Sequence, residues 1–551
     1  MDQSVQVIRN NKAFAKGLTS LPNELLLSIF LLLDLQSLLA VCQINQQMRN
    51  ICQDDFLWKQ KFIWDFGDLP NLSKDRKWKE AYKTLALGNP NSPISVGERH
   101  YAVIDENGVL NMAGENKRGR LGFISDRRVT IIPIPVTIGP TGTKIISVSC
   151  SNLSTIAVTN RGQVYGTGYI DLELNGQHKE VKVFRRMTIP ENVRKVSHSR
   201  CHYLFLLENK SVLMSGSFST NLSGTYKPES DNIYVSRIMD IKAIDISVKS
   251  GKIGRDVLCR DETWYYSVYR YGIINTNHEL YYWGTGFETE YPHLTDEQID
   301  AEEESGEVNR LIHHVGLSIN EENDEIIFHP KLISVPEQVK QISFGLDHLL
   351  ILSTKGNLYV MGEDYHGQLG MGHYYEGPCN PDDTRIVTVP TKLPFPQRIS
   401  YVSAGSNRSA AITEDGKLYF WGENDGVDLI WDNELQIYSG GGLDDDDILM
   451  PVQISLISRE SNQLVRIYWP DSDSSSDEDI EMPINQNIHK VDYISLGRSL
   501  GLAFTRDGYL NFFGTSTVPW NNYSDRNKIH INCTELLGGS NCPRQYVPGE
   551  D

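Results

Sequence analysis

The sequence predicts a multidomain chain of α and all-β parts: a small N-terminal three-helix module followed by a seven-bladed β-propeller. Three observations carry this expectation. Apolar residues recur at helical spacing in the first ninety residues. A strand–turn–strand unit then recurs seven times from residue 94 onward. Between the two lies a Gly/Asn/Pro stretch, 88–93, at which the charge balance changes. Residues 1–87 carry 11 Lys+Arg against 9 Asp+Glu, a net of +2, whereas the remainder carries −21. The 551 residues are 40% hydrophobic and 22% charged, enough apolar material for sizeable cores and too much for wholesale disorder. A net charge of −19 repels phosphate and argues against non-specific nucleic-acid binding.

The eight cysteines, Cys42, Cys52, Cys150, Cys201, Cys259, Cys379, Cys533 and Cys542, show no CxxC pair, so a zinc cluster is not expected. Their wide scatter reads as reduced, intracellular thiols. No charged-then-apolar leader opens the sequence, and the apolar run 25–41 is interrupted by Ser28, Asp34, Gln36 and Ser37. It is too short to span a bilayer comfortably and reads as two packed helices. The expected location is therefore intracellular, cytoplasmic or nuclear, with no membrane association and no secretion.

Pro22 pre-sets its backbone for a helix start. Leu25, Leu26, Ile29, Phe30 and Leu33 follow at helical spacing, then Leu35, Leu38, Leu39 and Cys42 on one face, with Ile44 and Met48 nearby. Asp54 or Asp55 is placed to cap a third helix holding Phe56, Leu57, Trp58 and Phe62. Short helices this apolar cannot all bury their faces within about 45 residues, so a partner should cover part of the surface.

The series Leu21-Pro22-Asn23-Glu24-Leu25-Leu26, Ile29-Phe30, Leu33-Asp34, Leu38, Val41-Cys42 and Leu57-Trp58 resembles an F-box over residues 18–62. The resemblance implies docking onto the small adaptor of cullin-based ubiquitin ligases, the S-phase kinase-associated protein, and through it onto the cullin ligase core. On the family motif fall Leu21, Pro22, Glu24, Ile29, Phe30, Leu33, Val41 and Trp58, the candidate adaptor-binding residues. Leu33 and Val41 are equally readable as internal core. Trp64, Trp78 and Tyr82 mark a helical extension over 63–87 that fixes this module to the next domain, and 88–93 is a short linker that restricts their orientation.

From residue 94 the unit is an alternating apolar strand, a turn and a second strand closing on glycine. Its closing glycines are Gly114, Gly168, Gly216, Gly284, Gly362, Gly422 and Gly514. Six residues earlier stand Gly108, Gly162, Lys210, His278, Gly356, Gly416 and Gly508. Asn-Gly, Lys-Gly and Asp-Gly between apolar runs are hairpin turns that require positive φ. An earlier strand precedes most copies, as in Ile94-Ser95-Val96-Gly97, Ile342-Ser343-Phe344-Gly345 and Val402-Ser403-Ala404-Gly405. Regular hairpins with variable connections suggest radial repetition.

The segment Glu363-Asp364-Tyr365-His366-Gly367-Gln368-Leu369-Gly370, with a second copy from Glu115-Asn116 to Arg120-Leu121-Gly122, resembles the regulator of chromosome condensation repeats. That resemblance covers 94–515; it is strong in units one, five and six and weak in three and four. Tryptophan–aspartate propellers are the nearest rival, but their signature dipeptides are missing. The closing glycines, Trp283 and Trp421 read as structural. Residues 516–551 form a C-terminal tail able to complete the last blade.

Acidic insertions at 288–307, 440–447 and 471–481 lack apolar content and read as solvated loops. Docking of a basic partner, phosphorylation at Ser472, Ser474, Ser475 or Ser476, and loose calcium binding are the alternatives, calcium being the weakest for want of EF-hand spacing. No HExxH, GxSxG, P-loop or kinase motif occurs, and His313-His314 is a poor metal site because adjacent residues seldom point the same way. No catalytic residue, cofactor or metal is expected. The chain reads as a non-catalytic adaptor that recruits an unidentified protein substrate to a ubiquitin ligase. A regulator of a small GTPase and a non-degradative binding scaffold are the competing readings, the first because some propellers of the resembled family exchange guanine nucleotide or bind chromatin. The acidic charge and lack of a basic tail argue against chromatin.

Overall fold

The structure, a computed structural model, describes residues 21–66 apart from 34, positions 78, 79 and 82, and 91–532 apart from 106, 126–128, 220–231, 257–262, 291–310, 321–324, 373–385, 424–428, 433–436, 441–446, 455–489, 499, 507–508 and 514–529. A few N-terminal helices precede a mostly β, propeller-like domain.

Four helices, not three, make up the N-terminal module among the described residues: α1 (Asn23–Leu32), α2 (Leu35–Val41), α3 (Gln46–Gln53) and α4 (Asp55–Phe66). Pro22 sits just outside α1 as its N-cap, with extended backbone, and its carbonyl accepts the first amides of the helix from Leu25 and Leu26, both at 3.1 Å. The additional helix, α3, is capped by Asn45, whose Oδ1 accepts from Met48 N at 2.8 Å. Leu26, Phe30, Leu38, Met48, Cys52, Leu57, Trp58 and Phe62 form one core. Tyr82 and Trp78 return to it: Tyr82 lies 5.6 Å from the Trp58 ring and Trp78 meets Phe62 edge-on at 5.4 Å.

Cys42 and Cys52 are joined by a disulfide, with Cα atoms 5.7 Å apart. The expectation that all the scattered thiols are reduced is therefore corrected for this pair. Spacing along the chain does not measure distance in space, and the turn between α2 and α3 brings two residues ten positions apart face to face. Cys150 and Cys201 are free thiols. Among the described residues no helix is long and apolar enough to cross a membrane.

In the β domain each hairpin is flanked by an inner strand before it and, in most sheets, an outer strand after it. The first sheet runs Ile94–Val96, His100–Ile104, Leu110–Glu115, Val129–Val136, in that order and antiparallel throughout. The second sheet, from Ile145–Cys150 to Lys179–Arg186, and the sheet from Val339–Phe344 to Ile386–Leu393 repeat it. The sheet that begins at Ile399–Ala404 has two further short strands, and the last uses Val491–Leu496, Gly501–Thr505, Tyr509–Phe513 and, from the tail, His530–Asn532. The third and fourth hairpins share a sheet, because one strand, Asn232–Asp256, pairs first with Ser211–Ser219 and then with Thr263–Asn275.

The inner strands follow one another around a closed circuit. Ser95, Ser149, Ser197, Ser343, Ser403 and Ser495 each accept, through Oγ, a backbone amide of the next inner strand: those of Cys150, His198, Val248, Ala404, Leu496 and Val96, at 2.8–3.1 Å. The last of these joins the final sheet to the first, and Leu500, Leu502 and Leu510 pack with Ile94, Val96 and Tyr101 across the same junction. Asn91, at the end of the linker, donates to Arg194 O at 3.1 Å and so fastens the entry segment to the third inner strand.

The closing glycines Gly114, Gly168, Gly284, Gly362 and Gly422 have φ between +94° and +117°. Gly216 does not; there a Cβ would stand 2.6 Å from both His202 Nδ1 and Tyr271 Oη. At the hairpin turns Lys210 (φ 67°) and His278 (φ 62°) adopt the left-handed backbone that glycine supplies at positions 108, 162, 356 and 416. Gly508 and Gly514 lie outside the described residues. Of the acidic insertions, 288–290 belongs to the strand Leu280–Glu290 rather than to a loop, Gly440 ends a strand, and Asp447 contacts His366. Positions 291–307, 441–446 and 471–481 lie outside the described residues.

Candidate functional site

The helical module divides its apolar residues between a core and an open surface. In α1, Leu26 and Phe30 stand one turn apart and are fully buried, while Leu25 and Leu32, seven residues apart on another face, are 52% and 71% exposed. In α4, Leu57, Trp58 and Phe62 are buried, while Phe56 and Trp64 are 52% and 63% exposed. Trp58 Nε1 donates to Cys52 O at 2.8 Å, and the buried Lys61 sends Nζ to Leu31 O at 2.7 Å, tying α4 to α3 and α1.

The eight candidate adaptor-binding residues therefore fall into two groups. Pro22 and Glu24 are exposed, and Leu21, Ile29 and Leu33 are half-buried at the margin of the core. Phe30, Val41 and Trp58 are buried within it, so their reach to any partner is through the shape they give the module. The motif did not single out the exposed Leu25, Leu32 and Phe56. Their signal was present, since a short helix apolar on two faces can turn only one of them to its own core.

In the β domain, the segments that resemble the repeat signature pack between neighbouring sheets. Asp364 Oδ1 accepts from Leu369 N at 2.7 Å, and Asn116 Oδ1 accepts from Leu121 N at 3.1 Å, closing the two loops in the same way. The carbonyl of Arg120 accepts from Thr155 Oγ1 at 2.8 Å, and that hydroxyl lies 2.8 Å from His100 Nε2. In parallel, Gln368 O accepts from Ser409 Oγ at 2.8 Å and from Trp421 Nε1 at 2.9 Å, and Ser409 Oγ lies 2.8 Å from His348 Nε2. Since each hydroxyl gives its proton to a carbonyl, each imidazole must donate through Nε2 and keep Nδ1 bare. Both Nδ1 atoms are buried without a hydrogen-bond partner. Burial, followed by the charges of Arg120 and His198, holds His100 well below the usual imidazole value. Burial also drops His348, His198 and His202 to about 3, with His348 further lowered by Lys249 and Arg270.

Buried arginines recur beside these histidines. Arg120 donates to Glu115 at 2.7 Å and to Asn152 O at 2.5 Å, Arg408 faces Glu423 at 3.5 Å, and Arg270 donates to Gly286 O at 3.1 Å beneath the Phe287 ring. Trp283 stacks on Tyr271 at 5.1 Å and, like Trp421, is fully buried. His314 stacks on Tyr269 at 5.5 Å and shares a hydrogen bond with its hydroxyl. Among the described residues no group of three His, Cys, Asp or Glu is placed to hold a metal.

Comparison with known proteins agrees with both halves. Residues 18–64 match an F-box-like family model, and residues 339–368 and 355–412 match models of the regulator of chromosome condensation (RCC1) repeat. The chain is 38% identical over 89 residues to the human X-linked retinitis pigmentosa GTPase regulator, covering 16% of this chain and 8% of that one. It is 36% identical over 101 residues to the human regulator of chromosome condensation (18% and 22%), and 33% identical over 135 residues to an ultraviolet-B receptor of Arabidopsis thaliana (24% and 26%). It thus spans about a quarter or less of the length of these relatives. Among solved structures, Prp20p from Saccharomyces cerevisiae is similar at 19% identity over 74% of this chain and 81% of that one, with a TM-score of 0.46. Human WBSCR16 is similar at 16% identity over 75% and 87%, also with a TM-score of 0.46. The chain carries an F-box-like domain at its N-terminus and, after it, RCC1 repeats in a propeller-like β domain.

Proposed function

We propose that this chain is a substrate-recognition adaptor of a cullin-type ubiquitin ligase. The F-box-like module, with boundaries near 18–62 and a helical extension to 87, docks onto the S-phase kinase-associated adaptor. The domain over 94–515, a ring of seven blades in this reading, recruits a protein substrate. The observation that carries the reading is the exposed apolar residues of the module: Leu25, Leu32, Ile44, Phe56 and Trp64 stand out of its helical core. Exposed large apolar side chains at this density on a small helical module are surface that a partner would cover. Leu21, Pro22, Glu24, Ile29 and Leu33 form the margin of the contact, and Phe30, Val41 and Trp58 support it from below. Holding a substrate lysine near a charged conjugating enzyme raises its effective concentration, so no side chain of this chain needs to do chemistry.

The test is affinity purification of the full chain and of the Leu21→Ala/Pro22→Ala variant. The native chain should bring down the adaptor and a cullin, and the variant should lose both while keeping its β-sheet circular dichroism. Unchanged recovery of the adaptor by the variant, or no adaptor with the native chain, refutes the docking.

A second reading comes from the similarity to a protein named as a GTPase regulator. In it the β domain binds a small GTPase, and a nucleotide-free GTPase, rather than a cullin, dominates the same purification.

A further inference from the structure

The strand Lys179–Arg186 is unlike the other outer strands of the ring. It closes its sheet on the outside and, among the described residues, pairs only with Val164–Ile170. Four of its eight residues, Lys179, Lys182, Arg185 and Arg186, are exposed cations, against one acid, Glu180. Charges on an edge strand are one way to discourage edge-to-edge association, and proline is another. Two other edge strands use proline: Val129–Val136 has Pro133 and Pro135 and no charge, and Ile386–Leu393 has Pro390 and the single cation Lys392. Edge protection alone therefore does not require four cations here.

The basic surface continues beyond the strand. The turn Lys117–Gly119 of the first sheet is fastened against it, since the Thr167 hydroxyl lies between Gly119 O at 2.8 Å and Val181 O at 2.9 Å and shares its one proton with both carbonyls. A Cβ on Gly119 would stand 2.5 Å from Lys182 Cα, which measures how closely the two elements meet. Lys117 and Arg118 are exposed, and the Arg118 guanidinium lies 4.7 Å from the centre of the Tyr169 ring, itself stacked on His178. The ring holds that guanidinium in place without neutralising it. Among the described residues, the one ion pair within this group of six cations is Lys182 with Glu180, at 4.0 Å. In a chain of net charge −19, such a cluster is a local reversal of sign.

We infer that this strand and turn are the docking site for an acidic, extended segment of a partner protein, Asp/Glu-rich and about seven or eight residues long. The length comes from eight strand residues at about 3.3 Å each. The cations supply complementarity and on-rate, and the strand's open edge can accept a further extended chain. The inference rests on the reading of the β domain as the recruiting half and names the chemistry of what it recruits.

The probe is a fluorescein-labelled peptide of alternating Asp/Glu and Gly/Ser, about twelve residues long to overhang the strand at both ends, with an Asn/Gln counterpart. It is added to the full-length chain at low salt and at roughly twice physiological salt and followed by anisotropy. The acidic peptide should bind, the neutral one should not, and the higher salt should weaken binding several-fold. Lys182→Glu/Arg185→Glu/Arg186→Glu should weaken it at least tenfold, the neutral variant Lys182→Gln/Arg185→Gln/Arg186→Gln by less, and Lys392→Glu on another outer strand not at all. Both triple variants should melt within a few degrees of the native chain, because the altered side chains are exposed. No binding at low salt, equal binding by the charge-reversed variant, equal binding of the neutral peptide, or tighter binding of a single-stranded oligonucleotide of equal charge overturns the inference. The Leu21→Ala/Pro22→Ala variant should keep full peptide affinity, so failure of adaptor docking and failure of this site are read separately.

Discussion

Mild acid should unfold the β domain well before its carboxylates titrate. His100, His198, His202 and His348 are buried, and burial is the first cause of the depression of each. A folded imidazole held at about 3 takes no proton at about pH 5.5, whereas the same residue in the unfolded chain, with an ordinary value near 6.5, is mostly protonated there. The unfolded state then binds more protons, so stability rises with pH and is lost as pH falls below about 6.5. At about pH 5.5 each of the three histidines held at about 3 withdraws about 1.4 kcal/mol, on the order of 4 kcal/mol together, a large share of the stability of an ordinary domain, and His100 acts in the same direction. His366 works the other way. Its hydrogen bond to Asp447, at 3.0 Å, raises its pKa, so its contribution is fully present below about 6.5 and disappears as pH rises through the folded value. It is partly exposed and offsets only a fraction of the loss.

The assay is urea unfolding of the full chain at about pH 7.5, 6.5 and 5.5, followed by tryptophan fluorescence, since Trp283 and Trp421 are buried in the sheets. The midpoint should fall slightly between the first two and much more steeply to the third. His348→Gln, which retains a donor for Ser409, should lower the midpoint at neutral pH but remove about a quarter of the acid slope. A midpoint that does not move across this range, or a His348→Gln chain with the full native slope, refutes the claim that these imidazoles are held neutral by burial.

Two further outcomes concern the backbone and the disulfide. Gly362→Ala should cost about 3 kcal/mol, because φ is +114° and the new Cβ would press on the backbone of Asp347 and on His348 Cα at 2.7 Å, whereas Gly142→Ala, at φ +83° with open space around it, should cost about 1 kcal/mol; equal melting points for the two variants would contradict this. Breaking the Cys42–Cys52 bridge, by reductant or by Cys42→Ser, should destabilise the helical module by about 3 kcal/mol, the loop-closure value for a separation of ten residues, and leave the β domain unaffected, as amide exchange in α2 and α3 compared with the sheets will show; uniform exchange before and after reduction would contradict it.

What could be read in the sequence depended on whether a residue's role was local. The hairpins were legible because a left-handed turn leaves a local mark, and the offset of six residues to the closing glycine identified Lys210 and His278 even where glycine is missing. The first helix was legible from its apolar spacing. Helix α3 was not, because Gln46–Gln53 is mostly polar and is defined by its Asn45 cap and by Met48 and Cys52 turning inward. The strand Asn232–Asp256 was illegible for another reason: it serves two hairpins in succession, and neither its length nor its change of partner has a signature in hydrophobic alternation.

The serines of the inner strands mark the boundary between local and distant roles most clearly. Ile94-Ser95-Val96, Ile342-Ser343-Phe344 and Val402-Ser403-Ala404 read simply as strands with one small polar residue. In the ring each of these serines accepts an amide from the following or closing sheet, and Ser495 does so for Val96 across a sequence separation of 399. A strand buried on both sides cannot leave an amide unpaired without a cost of about 1–3 kcal/mol, so a hydroxyl at this position converts a buried amide into a link between neighbouring sheets. The candidate binding surfaces obey the same logic in reverse. Among the described residues, exposed Leu32 and the cations of Lys179–Arg186 make few contacts that their fold requires, and their spacing reads as ordinary helix and ordinary strand. Only once the fold assigns the inner and outer faces does it become apparent that the ring closes on its serines while these groups face outward.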